Sequence, residues 1–195
     1  MRSAGFDREQ TLEKITDAFW EHGYEATSIG VLEAATGLKR QSLYNAFGNK
    51  DAMFGLAVDH YERTVSAQLM RHLDNDDPLT ALTGLFNAQA DMLLDPDRPS
   101  GCLVAGGQQE LGNRRAALGK RMDWLILEQH QALLVAFELW KESGRLWDDA
   151  DPAMLASVVM SQIRGASIVA RTSKGRTLTR QATQGITALF ESYLR

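Results

Sequence analysis

The amino-acid sequence predicts an all-α fold of about nine helices, in which short N-terminal helices precede a larger helical region. Apolar residues recur three and four positions apart through most of the 195 residues, which is the spacing of one helix face. Capping residues, glycines and prolines stand where these periodic stretches begin and end. No stretch alternates between apolar and polar residues as a half-buried strand would. An apolar content of 44% with 24% charged residues is typical of a folded globular chain.

Capping residues and glycines define the helices of the first 75 residues. Asp7 and Gln10 form a capping box at the start of the first helix, and Gly23 ends it. Two short helices then flank the tight turn Thr36-Gly37, and Asn49 is the expected N-cap of a long helix. The predicted spans are 7–23, 28–35, 39–46 and 49–73.

Loops rich in Asp and Pro separate the helices that follow. Pro78 and Pro152 are expected in first helical turns, where a missing N–H costs nothing. Asn113 is expected to begin the longest helix, and Gly144 follows its end. The predicted spans are 79–94, 102–111, 115–142, 152–170 and a last helix that ends near residue 194.

The two short helices around Thr36-Gly37 predict a helix-turn-helix. In that motif the first helix braces the second, which enters a DNA major groove about 12 Å wide. Apolar residues of both helices are expected to face the core: Ile29, Leu32, Ala35, Leu43 and Phe47. The remaining face of the second helix presents Lys39, Arg40, Gln41, Ser42, Tyr44 and Asn45. Arginine can bind guanine, and Gln or Asn can bind adenine, through two hydrogen bonds each.

The charge distribution restricts DNA contact to one small face. The whole chain has a net charge of −4, and residues 1–55 carry six basic and eight acidic side chains. Between Ala34 and Lys50, however, there is no acidic residue, while Lys39, Arg40 and Lys50 contribute three positive charges. A local basic field of this kind is what a DNA-binding element requires in an acidic protein.

Three segments resemble the DNA-binding signature of the tetracycline-repressor (TetR) family: GYEATSI at 23–29, AATGL at 34–38 and SLYNAFGNK at 42–50. The resemblance implies an all-helical homodimer whose second short helix reads double-stranded operator DNA. It also implies phosphate contacts by Thr27, Tyr44 and Lys50. Lys39 departs from the family pattern, because relatives often carry a small capping residue there. This change weakens the cap by about 1 kcal/mol. A contact between the lysine and a phosphate could recover that energy.

The resemblance further implies a small-molecule cavity among the middle helices. An apolar lining with a few polar anchors is expected there, from Tyr61, Phe86, Gln89, Cys102, Gln108, Trp124, Leu127, His130 and Arg164. The segment Gly101-Cys102-Leu103 resembles an element of a TetR subgroup, some of whose members sense electrophiles or oxidants. Cys102 is interpreted either as such a sensor, activated by a helix N-terminus, or as a small buried apolar residue.

The last two helices predict the dimer interface. Their apolar residues recur at helical spacing, and small residues in the first of them permit close approach of another helix. Two such helices from each subunit could form a four-helix bundle around a two-fold axis. The expected interface residues are Val158, Val159, Ile163, Ile186, Leu189, Phe190 and Tyr193.

These observations favour a ligand-responsive repressor with a DNA-binding domain over 1–50 and an effector-binding and dimerisation domain over 51–195. A redox- or electrophile-sensing regulator acting through Cys102, or an activator, is the alternative. A helical enzyme is disfavoured, because His22, His60, His72 and His130 lack metal-ligand spacing and no phosphate loop or nucleophile motif occurs. A protein-interaction adaptor would leave the absence of acidic residues over 34–50 unexplained.

No metal or other cofactor is predicted. The chain has a single cysteine, no run of about 18 apolar residues, and no apolar signal segment within residues 1–7. These features predict a cytoplasmic protein without a membrane span or an internal disulfide.

Overall fold

The computed structural model describes residues 6–112, 114 and 116–194. Its helices are α1 (Arg8–Ala26), α2 (Ile29–Thr36), α3 (Arg40–Phe47), α4 (Lys50–Tyr61), α5 (Ala67–Met70), α6 (Pro78–Leu94), α7 (Leu103–Leu111), α8 (Ala116–Glu142), α9 (Pro152–Val169) and α10 (Gly175–Glu191). A π-helical turn, Glu62–Ser66, joins α4 to α5, and a 3-10 turn, Arg71–Asp74, follows α5. Since residues 50–74 thus form one continuous helical run, the described residues contain nine such runs, and the predicted all-α class is confirmed.

Most predicted helix starts coincide with side-chain caps. The carboxylate of Asp7 accepts hydrogen bonds from the backbone N–H groups of Glu9 and Gln10, at 2.9 and 3.1 Å. Ser28, Asn49, Asp77 and Asp151 cap α2, α4, α6 and α9 in the same manner. The predicted helix start at Asn113 lies outside the described residues. Residues 1–5, part of the N-terminal segment for which the sequence predicts no signal peptide, also lie outside them.

The helical backbone of α1 is interrupted at Gly23, as the sequence predicts, with φ 79° and ψ 173°, and helical residues resume beyond this kink up to Ala26. The last helix ends at Glu191, before the predicted residue 194. Leu194 instead pairs with Leu146 in an isolated antiparallel bridge, so it is held by backbone contact.

One compact unit contains α1 to α4 with the π-helical turn, together with residues Cys102–Asp123. Its core is aromatic: the Phe54 ring lies edge-on to the rings of Phe19 and Tyr24, with centroids 5.1 and 5.2 Å apart. The rings of Trp20 and Tyr61 meet in the same geometry at 4.8 Å. Edge-to-face pairs of this kind add to the stabilisation from burial, so α1 and α4 are firmly packed against each other.

Helix α7 belongs to the same unit because it packs on α1. The carboxylate of Glu110 accepts a hydrogen bond from the backbone N–H of Glu25 at 3.0 Å. Gly107 lies so close to Phe54 and Met122 that a Cβ added there would come within 2.9 Å of the Phe54 ring. The first part of α8 also contacts this unit, since the guanidinium of Arg121 donates to the carboxylate of Asp59 in α4 at 2.7 Å.

The second compact unit comprises Ala67–Gly101 and the described residues from Trp124 onward. Its core lies between α6, the second part of α8, α9 and α10, around Leu82, Leu85 and Phe137. The Phe137 ring stacks on Phe190 at 5.8 Å and lies edge-on to Trp140 at 5.1 Å. The indole N–H of Trp140 donates to the carbonyl of Asn75 at 3.2 Å, which satisfies its polar atom.

These units divide the chain differently from the predicted boundary at residue 50. Residues 51–66 and the described residues of 102–123 pack with the N-terminal helices, because Phe54, Tyr61 and Glu110 contact α1. The compact units do not test whether DNA binding belongs to residues 1–50 and effector binding to 51–195. That division of functions stays a prediction.

Within the described residues, one helix, Pro152–Val169, is long and apolar enough to resemble a membrane span by length and composition. It contains Arg164 and Gln162, and Leu155, Val159 and Ile163 lie in the core of the second unit. Packing within the second unit therefore accounts for part of its apolar character, whereas Met154, Val158 and Ile168 are exposed.

Candidate nucleic-acid interface

The turn between α2 and α3 has the geometry of a helix-turn-helix. Gly37 ends α2 in the left-handed conformation, with φ 75° and ψ 1°, and its N–H donates to the carbonyl of Glu33. Leu43 and Phe47, one helical turn apart, are 0% and 3% exposed and fix the inner face of α3. Leu32 of α2 is buried as predicted, whereas Ile29 is half-buried.

Ala35 does not face the core. It is exposed and, with Val31 and Ala34, lines an open groove beside α1. Helix α2 is short, and Leu32 alone among its residues is buried, so its inner face is narrower than the sequence predicts.

The outer face of α3 is exposed as the sequence predicts. All six residues assigned to this face are exposed: Lys39, Arg40, Gln41, Ser42, Tyr44 and Asn45. The side-chain amide of Gln41 donates to that of Asn45 at 2.9 Å, so these two potential base-reading groups are paired with each other without DNA. A continuous exposed surface of donors and acceptors is what direct readout requires.

Lys50 lies at the edge of this surface in a defined position. Its ammonium group lies 4.3 Å from the centroid of the Tyr24 ring and 3.4 Å from the carbonyl oxygen of Glu25. The Tyr24 hydroxyl donates a hydrogen bond to the carboxylate of Asp51. The lysine opposes the dipole of α4, and the ring and the neighbouring carboxylate offset that cost.

Thr27 lies inside the fold, contrary to the expectation of a phosphate contact. Its side chain is 0% exposed, and its hydroxyl is within hydrogen-bonding distance of the carbonyls of Gly23 and Ala18, at 2.6 and 3.2 Å. These contacts secure the kinked end of α1. We therefore leave Thr27 out of the proposed DNA-contacting set.

Charged side chains hold both ends of α3, and neither contact is predicted from the sequence. The carboxylate of Glu33 accepts a hydrogen bond from the backbone N–H of Arg40 at 2.8 Å. At the other end, the guanidinium of Arg8 donates to the carbonyl of Ala46 at 3.1 Å and lies 4.9 Å from the centroid of the Phe47 ring. Both residues lie on other helices, so local helix-capping rules could not have found them.

The candidate effector-binding residues of the first unit already have partners. Tyr61 is 2% exposed and packs on Trp20. Cys102 is 8% exposed and precedes the first residue of α7, so the predicted position at a helix start is correct. The side-chain amide of Gln108 donates to the carboxylate of Asp123 at 2.6 Å.

Four candidates of the second unit lie in or beside its core. Phe86 is 1% exposed, and the side-chain amide of Gln89 donates to the carbonyl of Ile163 at 2.7 Å. The His130 ring nitrogen lies 3.0 Å from the Ser157 hydroxyl, and Arg164 donates to the side-chain oxygen of Gln129.

Trp124 and Leu127 lie at the surface and not in the core of their unit. They are 47% and 66% exposed and lie on the outer face of α8. Helix α8 carries apolar residues on more than one face, so the sequence did not distinguish its inner from its outer positions.

The predicted dimer residues fall into two groups. Val159, Ile163, Ile186 and Phe190 are at most 8% exposed and belong to the core of their own chain. These four therefore pack within their own chain, although Ile186 also lines a groove at the surface. Val158, Leu189 and Tyr193 are 43%, 62% and 39% exposed and do lie on the surface.

Apolar and small residues at the surface of α9 and α10 form two regular stripes. On α9 they recur at alternating spacings of four and three: Met154, Val158, Ser161, the half-buried Gly165, and Ile168. On α10 the same spacing relates Leu178, the half-buried Ala182, Gly185 and Leu189. A groove on this face is lined by Met154, Ser157, Val158, Ser161, Gln162 and Ile186. Such seams are typical of packed helix bundles.

Comparison with known proteins agrees with the geometry. The family model for bacterial regulatory proteins of the tetR family matches residues 12–57. The repressor ComR of Escherichia coli K12 is 30% identical over 168 residues, which cover 85% of this chain and 80% of ComR. The regulator YezE of Bacillus subtilis 168 is 28% identical over 80% of this chain and 81% of its own.

A solved structure of the same family has the same fold. A cysteine mutant of the TetR-family regulator CifR, complexed with 26-bp operator DNA, superposes with a TM-score of 0.83 at 24% identity. The match covers 94% of this chain and 98% of CifR. With the helix-turn-helix geometry and the similarity to ComR along most of both chains, the conclusion is that this chain belongs to the tetR family of bacterial regulatory proteins, which are DNA-binding transcriptional regulators.

Proposed function

We propose that the chain is a homodimeric repressor that binds a pseudo-palindromic operator through α3 and releases it when a small molecule binds its C-terminal domain. The observation that carries the proposal is the outer face of α3, where six polar or basic residues are exposed and no acidic residue intervenes. Arg40, Gln41 and Asn45 are assigned to base edges. Lys39, Ser42, Tyr44 and Lys50 are assigned to the backbone.

The repressor role rests on similarity. ComR is named a repressor, and the chain resembles it along most of its length. Functional domains at 1–50 and 51–195 are part of the same proposal.

Selection of bound duplexes from a random DNA pool tests this assignment directly. The proposal expects an enriched sequence with two-fold symmetry and half-site centres about 34–36 Å apart, or a multiple of that distance. Transcription from a promoter that carries the selected site should fall when the protein is present. Failure to enrich any duplex, or enrichment of an asymmetric site bound by one chain, contradicts the proposal.

The proposed dimer uses the stripes at the surface of α9 and α10. Their spacing supports four-helix packing across a two-fold axis, and Gly165 and Gly185 have no atom within 4 Å of where a Cβ would stand. Open space beside both glycines is compatible with close approach of a second chain. The interface is therefore assigned to Val158, Leu189 and Tyr193 with the other members of the stripes.

The proposed effector response involves Gln89, His130 and Arg164 as polar anchors. Each is held by an intramolecular partner, so a ligand must replace these hydrogen bonds as it binds. Release of the selected duplex by members of a small-molecule library, measured by fluorescence anisotropy, tests the response. The test requires that Arg164→Ala or His130→Ala abolish release while duplex binding persists.

Sensing through Cys102, with membership of the Gly-Cys-Leu subgroup, is the second candidate. Cys102 lies just before α7, and its 8% exposure restricts access by an electrophile. Alkylation of Cys102 faster than that of a free thiol, with loss of duplex binding, would establish this route. Alkylation at or below that rate would remove it.

A further inference from the structure

Helix α3 begins without a side-chain cap of its own. Its N-cap residue is Lys39, which makes no capping hydrogen bond because its side chain carries no acceptor. The first N–H groups of an α-helix have no partner within the helix, so an isolated helix of this sequence would fray at its start. That start bears Arg40 and Gln41, two of the residues assigned to DNA.

Glu33 supplies the acceptor that Lys39 lacks. Its carboxylate Oε1 lies 2.8 Å from the backbone nitrogen of Arg40, seven residues later in the chain. The backbone carbonyl of the same residue accepts the N–H of Gly37 at 2.9 Å. One residue of α2 therefore secures both the turn and the first residue of α3.

We propose that Glu33 is a positioning residue for operator recognition, which holds the N-terminus of α3 in the conformation that reads bases. This inference rests on the proposed function. The carboxylate also places a negative charge beside a surface that faces phosphates, so it weakens attraction to any duplex. Glu33 thus favours discrimination between sequences at some cost in overall affinity.

Two substitutions separate these effects. Glu33→Gln keeps a side-chain oxygen that can accept from Arg40 and removes the charge. Glu33→Ala removes both. Glu13→Ala, which removes an exposed glutamate from α1, is the matched control for charge.

The quantity to measure is the ratio of affinities for two probes. These are the duplex selected by the unmodified protein and a random-sequence duplex of equal length. Loss of a cap corresponds to about a fivefold change in an equilibrium constant. The ratio should fall about fivefold for Glu33→Ala and stay within about twofold of the unmodified value for Glu33→Gln and Glu13→Ala. Glu33→Gln should also bind the random duplex more tightly at low salt.

A rescue experiment uses Lys39, whose backbone already has the extended conformation of an N-cap, with φ −74° and ψ 150°. In the Glu33→Ala background, Lys39→Ser supplies a hydroxyl that can cap α3, and Lys39→Ala removes the same positive charge without capping. The affinity ratio should recover in Glu33→Ala/Lys39→Ser and stay low in Glu33→Ala/Lys39→Ala.

Hydrogen exchange of the Arg40 amide tests the cap without DNA. Exchange should be about fivefold faster in Glu33→Ala than in the unmodified protein, and near the unmodified rate in Glu33→Gln. An unchanged affinity ratio in Glu33→Ala, or equal ratios in the two double variants, overturns the positioning role. If the unmodified protein enriches no duplex, the proposed function fails; an Arg40 amide that exchanges equally fast in Glu33→Ala and the unmodified protein refutes the cap itself.

Discussion

Lys50 illustrates how one side chain combines structural and functional contacts. Its ammonium group interacts with the Tyr24 ring and the Glu25 carbonyl, yet it remains partly exposed at the margin of the proposed DNA surface. These contacts restrict the side chain before DNA binds, which reduces the entropy lost on contact with a phosphate.

We expect Lys50→Ala to weaken binding to selected and random duplexes alike. Loss of one phosphate contact should reduce the slope of log affinity against log salt concentration by about 0.9. Titrations by anisotropy at several salt concentrations measure that slope. Lys174→Ala, at an exposed lysine just before α10, should leave the slope unchanged. An unaltered slope for Lys50→Ala would place this lysine outside the DNA contact.

Asp77 provides a pH-dependent contribution to stability. Hydrogen bonds from the side chain and backbone of Thr80 lower the pKa of Asp77 below its usual 3.8. The stabilisation by this carboxylate is therefore complete above about pH 4 and is lost as the pH falls through the lowered value. Asp77→Ala should reduce the free energy of unfolding by about 1 kcal/mol at pH 6, through loss of the cap on α6.

Urea denaturation at several pH values tests this expectation. The difference in unfolding free energy between the unmodified protein and Asp77→Ala should shrink below pH 4. Asp77→Asn, which retains a capping oxygen but no titratable group, should not show that local pH dependence. A constant difference for Asp77→Ala down to pH 2.5 would contradict the assignment.

At the level of the helices, two glycines determine where α2 and α3 end. Gly37 is left-handed with open space around the position of a Cβ, whereas Gly48 has φ 82° and ψ −158°. A Cβ on Gly48 would also stand 2.9 Å from that of Ala52. Gly48 should therefore tolerate a larger side chain less well than Gly37.

We expect Gly37→Ala to lower the free energy of unfolding by about 1 kcal/mol and Gly48→Ala by about 2–3 kcal/mol. The difference reflects the added steric contact and a backbone region that only glycine readily adopts. Gly55→Ala, inside α4 with nothing within 4 Å, is a control that should be neutral or stabilising. Equal losses at Gly37 and Gly48 would disprove the argument. Chemical denaturation provides the measurement.

Helix positions and the exposed face of α3 could be predicted because they depend on local sequence. Capping residues, Gly37 and the spacing of Leu43 and Phe47 are local signals. The orientation of α9 could not be predicted in this way. Val158 and Val159 are adjacent and equally apolar, yet only Val159 lies in the core, since apolar residues occur on both faces.

Several contacts of the candidate site could not be predicted from local sequence either. The Glu33 contact to Arg40 and the Arg8 contact to Ala46 each join different helices, so they depend on the packed arrangement. The inward position of Thr27 likewise follows from the kink at Gly23, whose carbonyl its hydroxyl contacts.

For the whole molecule, the proposed dimer predicts that substitution of two similarly exposed leucines has different effects on dimerisation. Leu189 on α10 is 62% exposed and Leu127 on α8 is 66% exposed. Leu189→Glu should give a folded monomer by sedimentation and reduce operator affinity at least about 100-fold, because two linked half-site contacts become one. Leu127→Glu should remain dimeric. Dimers of Leu189→Glu, or monomers of Leu127→Glu, would relocate the interface.

The discontinuous first unit also restricts how this protein can be recombined with its relatives. The chain enters and leaves that unit between Ser66 and Ala67, between Gly101 and Cys102, and between Asp123 and Trp124, so two of the three crossings fall within helical backbone. A chimera joined at residue 50 would separate Phe54 and Glu110 from the helix that they contact. A chimera that takes the helix-turn-helix from one homologue should therefore take residues 51–66 and 102–123 from the same homologue.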